Sequence, residues 1–258
     1  MELLNYKIYS DDGTISFKKP ILVFLHGFGG SSAIWMKQIK SLRQKYDLLL
    51  IDLPSHGKSK IMLSQMNKTF DDVAQKIIDV LNYLHIKKAN FIGCSLGTMF
   101  VKYIVLKRKE LVDKFVLIGG VGTYSQWLKC ALQLAKLLLC ILPCRWCCNI
   151  VAKLIIPYKQ SQESRKLFLE CAKRIPKKEF ACWLKLLLKF PKLNKEYIES
   201  LDSIENGLYI TGDKDVMFLD TLTKEFDKIK NKIILNDCGH VCNIDKSNEV
   251  NELLKDFI

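Results

Sequence analysis

The run Gly93-Cys94-Ser95-Leu96-Gly97 stands between an apolar stretch, Asn90-Phe91-Ile92, and a helical pattern from Leu96 to Lys107. A chain that turns directly from strand into helix has little freedom at the turn. The middle residue is forced into a strained backbone conformation, and its flanking positions must lack side chains if strand and helix are to pack closely. Gly93 and Gly97 meet that demand. Ser95 is then left with its hydroxyl clear of the backbone at the carboxyl end of a sheet, near the positive end of the following helix. The main-chain N–H of Leu96 can point at negative charge developing beside that hydroxyl. G-x-S-x-G arises by chance in roughly one chain in ten of this length, so its surroundings must carry the reading.

Those surroundings alternate. Ile21 to Leu25, Leu48 to Ile51, Asn90 to Ile92 and Lys114 to Ile118 read as buried strands, and Ala33 to Gln44, Asp71 to Leu84 and Leu96 to Lys107 as the helices between them. Short apolar runs separated by helical patterns are the mark of βαβ units and a parallel sheet. From about residue 122 to 200 the strand signal disappears, and Pro143, Pro157, Pro176 and Pro191 divide a series of helix formers. Strand character returns at Leu208 to Ile210 and Lys232 to Leu235, with helices expected over Leu219 to Lys228 and Ser247 to Phe257. The chain of 258 residues thus reads as one core, residues 1–121 and 201–258, interrupted by a helical insertion at 122–200.

Charge is concentrated in that insertion. It holds fifteen Lys/Arg and five Glu, hence ten of the thirteen net positive charges of the chain. Such a field is either simply a solvated face or a site for an anionic partner, whether an acidic carrier protein, an anionic membrane surface or an acidic substrate; nucleic acid is not expected, because no recognised binding module accompanies the charge. The residues Met1 to Lys7 lack the apolar run of a secretory signal. The ten cysteines are therefore expected as reduced thiols in a cytoplasm rather than as a disulfide framework.

Three further motifs accompany Ser95. His26-Gly27-Phe28-Gly29-Gly30 follows an apolar strand, Thr211-Gly212-Asp213-Lys214-Asp215 follows Leu208 to Ile210, and Asn236-Asp237-Cys238-Gly239-His240 follows Lys232 to Leu235. With them the chain resembles the α/β-hydrolase family, carboxylesterase- or lipase-like members with a helical cap, over almost all of its length outside the insertion. Asp52-Leu53-Pro54-Ser55-His56-Gly57-Lys58-Ser59 is similar to that family's D-x-x-G-x-G-x-S loop, with Ser55 in place of a glycine. The resemblance implies an α/β fold with a mostly parallel central sheet flanked by helices and a helical cap inserted after the sixth strand. It also implies that the N–H groups of Phe28 and Leu96 form an oxyanion hole, and that Ser95, Asp215 and His240 are nucleophile, acid and base.

The chemistry asks for such a set. A serine hydroxyl is a poor nucleophile near neutral pH, so a base must take its proton and an acid must hold that base in the right tautomer. Asp213 is the rival to Asp215 as the acid. His26, His56 and Asp52 are read as loop-shaping residues, and His85 as a surface residue. Acyl transfer on Ser95 requires neither metal nor organic cofactor, and Cys140, Cys144, Cys147 and Cys148 lack the second Cys or His pair of a zinc site. Carboxylic ester or thioester hydrolysis is the first expectation. The alternatives are carbon–carbon bond hydrolysis or cofactor-free haloperoxidase or perhydrolase chemistry on the same triad, and, from another class, a non-catalytic fold that binds a ligand or protein. The apolar stretch from Trp127 to Leu142 carries Lys129 and Lys136 and ends at Pro143, too short to span a bilayer comfortably. It is expected either to line an acyl pocket, to lie on a membrane surface, or merely to pack on the core.

Overall fold

The computed structural model describes residues 2–158, 161–200, 206–225 and 230–258. Seven strands form one sheet: β1 (Tyr6–Tyr9), β2 (Ile21–Leu25), β3 (Asp47–Ile51), β4 (Ala89–Cys94), β5 (Val112–Ile118), β6 (Gly207–Gly212) and β7 (Lys232–Leu235). Their order is β1-β3-β2-β4-β5-β6-β7, with β1 antiparallel to β3 and every other pair parallel. The apolar runs are continuous because both faces are covered. Val23 and Leu25 point into one core with Leu49, Ile51, Phe91, Phe115 and Leu117, while Leu22 and Phe24 point into the other with Leu48, Leu50, Ile92, Val116 and Ile118.

Helix α1 (Met36–Leu42) and the C-terminal helix (Ser247–Phe257) cover the second face, whereas α2 (Phe70–Tyr83) and α3 (Leu96–Lys107) cover the first. The expected first helix begins as a 3-10 turn over Ser32–Trp35, started by the Ser31 hydroxyl accepting from the Ala33 N–H. Thr69 and Asp72 form a reciprocal capping box at the start of α2. Helix α9 runs over Leu219–Glu225, and the remainder of the helix expected to Lys228 lies outside the described residues.

Between β5 and β6 lie five helices: α4 (Gln126–Ile141), α5 (Cys144–Ile155), α6 (Gln162–Ala172), α7 (Lys177–Leu187) and α8 (Phe190–Glu199). Pro143 and Pro176 immediately precede α5 and α7, and Pro191 sits in the first turn of α8, where a missing N–H costs nothing. These helices form a cap over the carboxyl ends of the strands. The expected boundary at 200/201 adjoins residues 201–205, which lie outside the described ones.

The cap follows the fifth strand, not the sixth that the family resemblance implied. No strand forms between β1 and β2, because Asp12 accepts from both the N–H and the hydroxyl of Thr14 at 2.9 and 2.8 Å, closing a local turn where a ladder would need free backbone. All nine cysteines whose side chains are described are free thiols; the Cys144 side chain lies outside them. Among the described residues no helix is long and apolar enough to cross a membrane.

Candidate active site

The order β3-β2-β4 reverses direction between β2 and β4, and a crevice opens at the carboxyl ends of strands where such a reversal occurs. Ser95 lies there, at the end of β4. Its backbone has φ 49° and ψ −114°, a conformation L residues avoid, and it is held by the strand on one side and α3 on the other. The Ser95 N–H donates to the Ile118 carbonyl at 3.0 Å and its carbonyl accepts from the Thr98 N–H at 2.8 Å, which locks the turn. Both flanking glycines are needed. A Cβ on Gly97 would stand 2.0 Å from the Leu25 carbonyl oxygen, and one on Gly93 would stand 2.7 Å from the Gly97 carbonyl carbon.

His240 and Asp215 come to Ser95 from the ends of β7 and β6. The Ser95 hydroxyl is 2.8 Å from His240 Nε2, and His240 Nδ1 is 2.7 Å from Asp215 Oδ2. With the carboxylate accepting at Nδ1, the ring carries its proton there, and Nε2 is free to accept from the serine. The other oxygen of Asp215 accepts from the N–H groups of Met217 and Phe218 at 3.1 and 3.2 Å, which fixes the carboxylate plane. Both His240 and Asp215 are buried. Phe218 also places its ring 5.4 Å from that of His240.

Asp213 does other work. Its exposed carboxylate accepts from the Cys238 N–H at 3.0 Å, which ties the β6 loop to the β7 loop, and that hydrogen bond holds its carboxyl below the usual range. Cys94, next to Ser95, is no rival nucleophile: burial, then the charges of Asp215 and Asp245, push its thiol up to about 12.

The loop 26–30 is shaped by two buried neutral histidines. His26 Nε2 accepts from the Leu53 N–H at 3.0 Å, and His56 Nε2 accepts from the Gly29 N–H at 3.1 Å while its Nδ1–H donates to the Pro54 carbonyl at 2.9 Å. Burial, then the neighbouring His26, pushes His56 down to about 3, so it stays neutral. Asp52 accepts from the Ser32 and Lys58 N–H groups and from Asn5, again a loop brace. Among the described residues, the N–H groups of Phe28 and Leu96 have no hydrogen-bond partner, and both residues line the cavity that reaches Ser95. His85 is exposed, with a left-handed φ of 58°, at the end of α2.

Ser55 takes the left-handed φ of 63° that a glycine would take freely, and its hydroxyl has a partner that explains its presence. It donates at 2.6 Å to Glu179, a buried carboxylate on cap helix α7 that also accepts from the Ser64 N–H at 3.0 Å. Trp183, one turn on, donates its indole N–H to the Pro54 carbonyl at 3.1 Å. The loop thus carries the cap. On the opposite side Ser161 and Ser164 both donate to Asp245 at 2.5 Å.

Two apolar chambers meet at Ser95 and His240. One, of about 90 Å³, is roofed by Trp127, Leu128, Ala131, Leu132 and Ala135 on one face of α4 and floored by Met99, Val121 and Phe218. The other, of about 50 Å³, lies between Ile34, Ile156, Leu167, Phe168 and Ile244. Of the three expectations for the Trp127–Leu142 stretch, its role as a chamber wall is therefore met by the α4 residues named. The second chamber has no signature in the sequence, because its walls come from segments with no common pattern.

Fold and site together define an α/β-hydrolase-fold protein with a Ser-His-Asp triad beneath a helical cap. Residues 20–139 match the family described as alpha/beta hydrolase fold. The chain is 32% identical over 117 residues to the uncharacterized hydrolase YugF of Bacillus subtilis (strain 168), a stretch covering 45% of this chain and 41% of that one. The matches span less than half the length of each curated relative. Among solved structures, the enol-lactonase of Burkholderia xenovorans LB400 superposes with a TM-score of 0.81 at 16% identity, over 98% of this chain and 95% of that one. A structure from work on carboxylesterases of Nitrososphaera gargenis superposes with a TM-score of 0.81 at 18% identity, over 98% of this chain and 93% of that one.

Proposed function

We propose that the protein is a serine hydrolase that cleaves a carboxylic ester or thioester through an acyl-enzyme on Ser95. The observation that carries this reading is the hydrogen-bonded chain from Ser95 through His240 to Asp215, at 2.8 and 2.7 Å, where two apolar chambers meet. Ser95 attacks the carbonyl as His240 Nε2 takes its proton; the C–O or C–S bond of the tetrahedral intermediate then breaks as His240 returns that proton to the leaving group. Water repeats the sequence and releases the acid. The unspent N–H groups of Phe28 and Leu96 hold the oxyanion, each contributing about 3 kcal/mol to the barrier reduction. The α4-walled chamber takes the acyl chain and the second chamber takes the leaving group.

On this reading residues 1–121 and 201–258 are the catalytic core and 122–200 the specificity-setting cap, working in a reducing cytoplasm with the basic cap turned toward an anionic partner. The test is labelling by a fluorophosphonate probe, wild type beside Ser95→Ala, followed by p-nitrophenyl esters and acyl thioesters of increasing chain length. Labelling of wild type alone and turnover of either series is the expected result. An unlabelled wild type overturns the reading in favour of a binding protein, and labelling without turnover of either series favours carbon–carbon or perhydrolase chemistry.

A further inference from the structure

Helix α4 turns one face to the chamber and leaves another bare. Trp127, Leu134, Leu137 and Ile141 are 48%, 55%, 63% and 80% exposed, and on α5 Trp146 and Ile150 are 60% and 40% exposed. The α4 residues recur at heptad spacing, so they form a single stripe along the helix. Apolar side chains gathered this way on a surface mark a place of interaction. Along the sequence of this stretch the charge has one sign: between residues 122 and 162 there is no Asp or Glu, but there are Lys129, Lys136, Arg145, Lys153 and Lys159. Trp127 belongs to both surfaces, since it also lines the chamber over Ser95.

We infer that the α4–α5 face docks on an anionic lipid bilayer, with α4 lying in the plane of the interface. This rests on the anionic-partner reading above and narrows it to lipid. A bilayer supplies both things the face lacks, apolar depth for the stripe and negative headgroups for the lysines, with a tryptophan on each helix at the boundary. An acidic protein supplies only the second. Another copy of the face would bring lysines against lysines with no carboxylate of its own to pair them. With sixteen residues, α4 lies on the membrane rather than crossing it. Docking places the Trp127 edge of the chamber at the lipid surface, from which an acyl substrate enters without crossing water.

The experiment uses the full chain with phosphatidylcholine vesicles, with and without phosphatidylglycerol. Of the four tryptophans, Trp35 and Trp183 are buried, so any emission change on vesicles comes from Trp127 and Trp146. Each basic side chain near an anionic leaflet raises partitioning about fivefold. Partition to the anionic vesicles is therefore expected to exceed that to neutral ones by at least about tenfold. The emission should shift to the blue, brominated lipid should quench it, and salt should weaken binding. Leu137→Glu with Ile141→Glu removes these effects while leaving hydrolysis of a short, soluble p-nitrophenyl ester unchanged, because neither residue lines a chamber. Vesicle binding that is absent, or that survives the double substitution, overturns the inference. So does a lipid-free dimer, seen by sedimentation velocity, that the same substitution dissolves. Capture by soluble polyglutamate without vesicle binding overturns the lipid assignment but keeps the anionic-partner reading. Loss of ester hydrolysis in wild type strikes the hydrolase reading independently.

Discussion

Asp215→Asn separates a catalytic carboxylate from a structural one. In the native protein Oδ2 accepts from His240 Nδ1–H while Oδ1 accepts from the N–H groups of Met217 and Phe218. An asparagine has one acceptor oxygen and one donor NH2. If the NH2 faced the two main-chain donors, it would meet like dipoles and leave both N–H groups unpaired, so the oxygen turns to them and the NH2 faces His240. Nδ1 must then accept, the ring proton moves to Nε2, and Nε2 can no longer accept from the Ser95 hydroxyl. Loss of the correct tautomer lowers kcat by about 10⁴, equivalent to about 5 kcal/mol. The fold keeps both main-chain hydrogen bonds, so stability changes by only about 1 kcal/mol. Asp213→Asn, which retains an oxygen for the Cys238 N–H, should hold kcat within about threefold. The assay is kcat and kcat/KM on p-nitrophenyl butyrate, with urea unfolding of each variant alongside. A folded Asp215→Asn protein within about tenfold of wild type, or a greater loss at Asp213, would refute the assignment.

Other perturbations probe the cap, the elbow and the buried histidines. Ser55→Ala removes a hydroxyl from the buried Glu179 and an acceptor from the Leu63 N–H, so unfolding free energy should drop by about 2 kcal/mol while kcat on a short ester changes little; an unchanged urea midpoint would contradict this. Gly97→Ala should cost about 3 kcal/mol or more and give little soluble protein, since its Cβ would lie 2.0 Å from the Leu25 carbonyl oxygen, and a well-folded variant by circular dichroism would count against the elbow geometry. In wild type, each added acyl methylene that reaches the chamber should raise kcat/KM about fourfold, whereas Ala131→Phe should end that rise at shorter chains; parallel slopes in the two proteins would place the acyl group elsewhere. His56 is neutral when folded, with its pKa near 3, against about 6.5 when unfolded. The unfolded chain therefore binds the extra proton between those values, and this contribution destabilises the fold by about 1.4 kcal/mol per pH unit as pH falls from 6.5, with no effect above it. Urea midpoints at pH 7.5, 6 and 5 should fall accordingly, and a flat series would show that His56 is not held neutral.

What could be read in the sequence was what the backbone makes local. The strand-turn-helix at Ser95 needs glycine at two nearby positions, so its geometry is written within five residues, and β2, β4, β6 and β7 each end in a motif that the sheet alone brings together. β1 is not legible in the sequence because Tyr6 to Tyr9 is a half-buried edge strand with no apolar run, and its pairing with β3 joins segments some forty residues apart. Ser55 looked like a flawed copy of a glycine loop because the carboxylate that gives its hydroxyl a use, Glu179, lies 124 residues away and reads locally as an ordinary first-turn acid on α7. Helix α4 shows the limit of periodicity most clearly. Outside the polar stripe of Gln126, Lys129, Gln133 and Lys136 its residues are apolar, and only the packing of α4 across the crevice separates Leu128 and Ala131, which meet the chamber, from Leu137 and Ile141, which stay exposed. On the proposed docking, a negatively charged bilayer gives this helix, which carries lysines and no carboxylate of its own, an apolar environment for its exposed side and a counter-charge for its lysines.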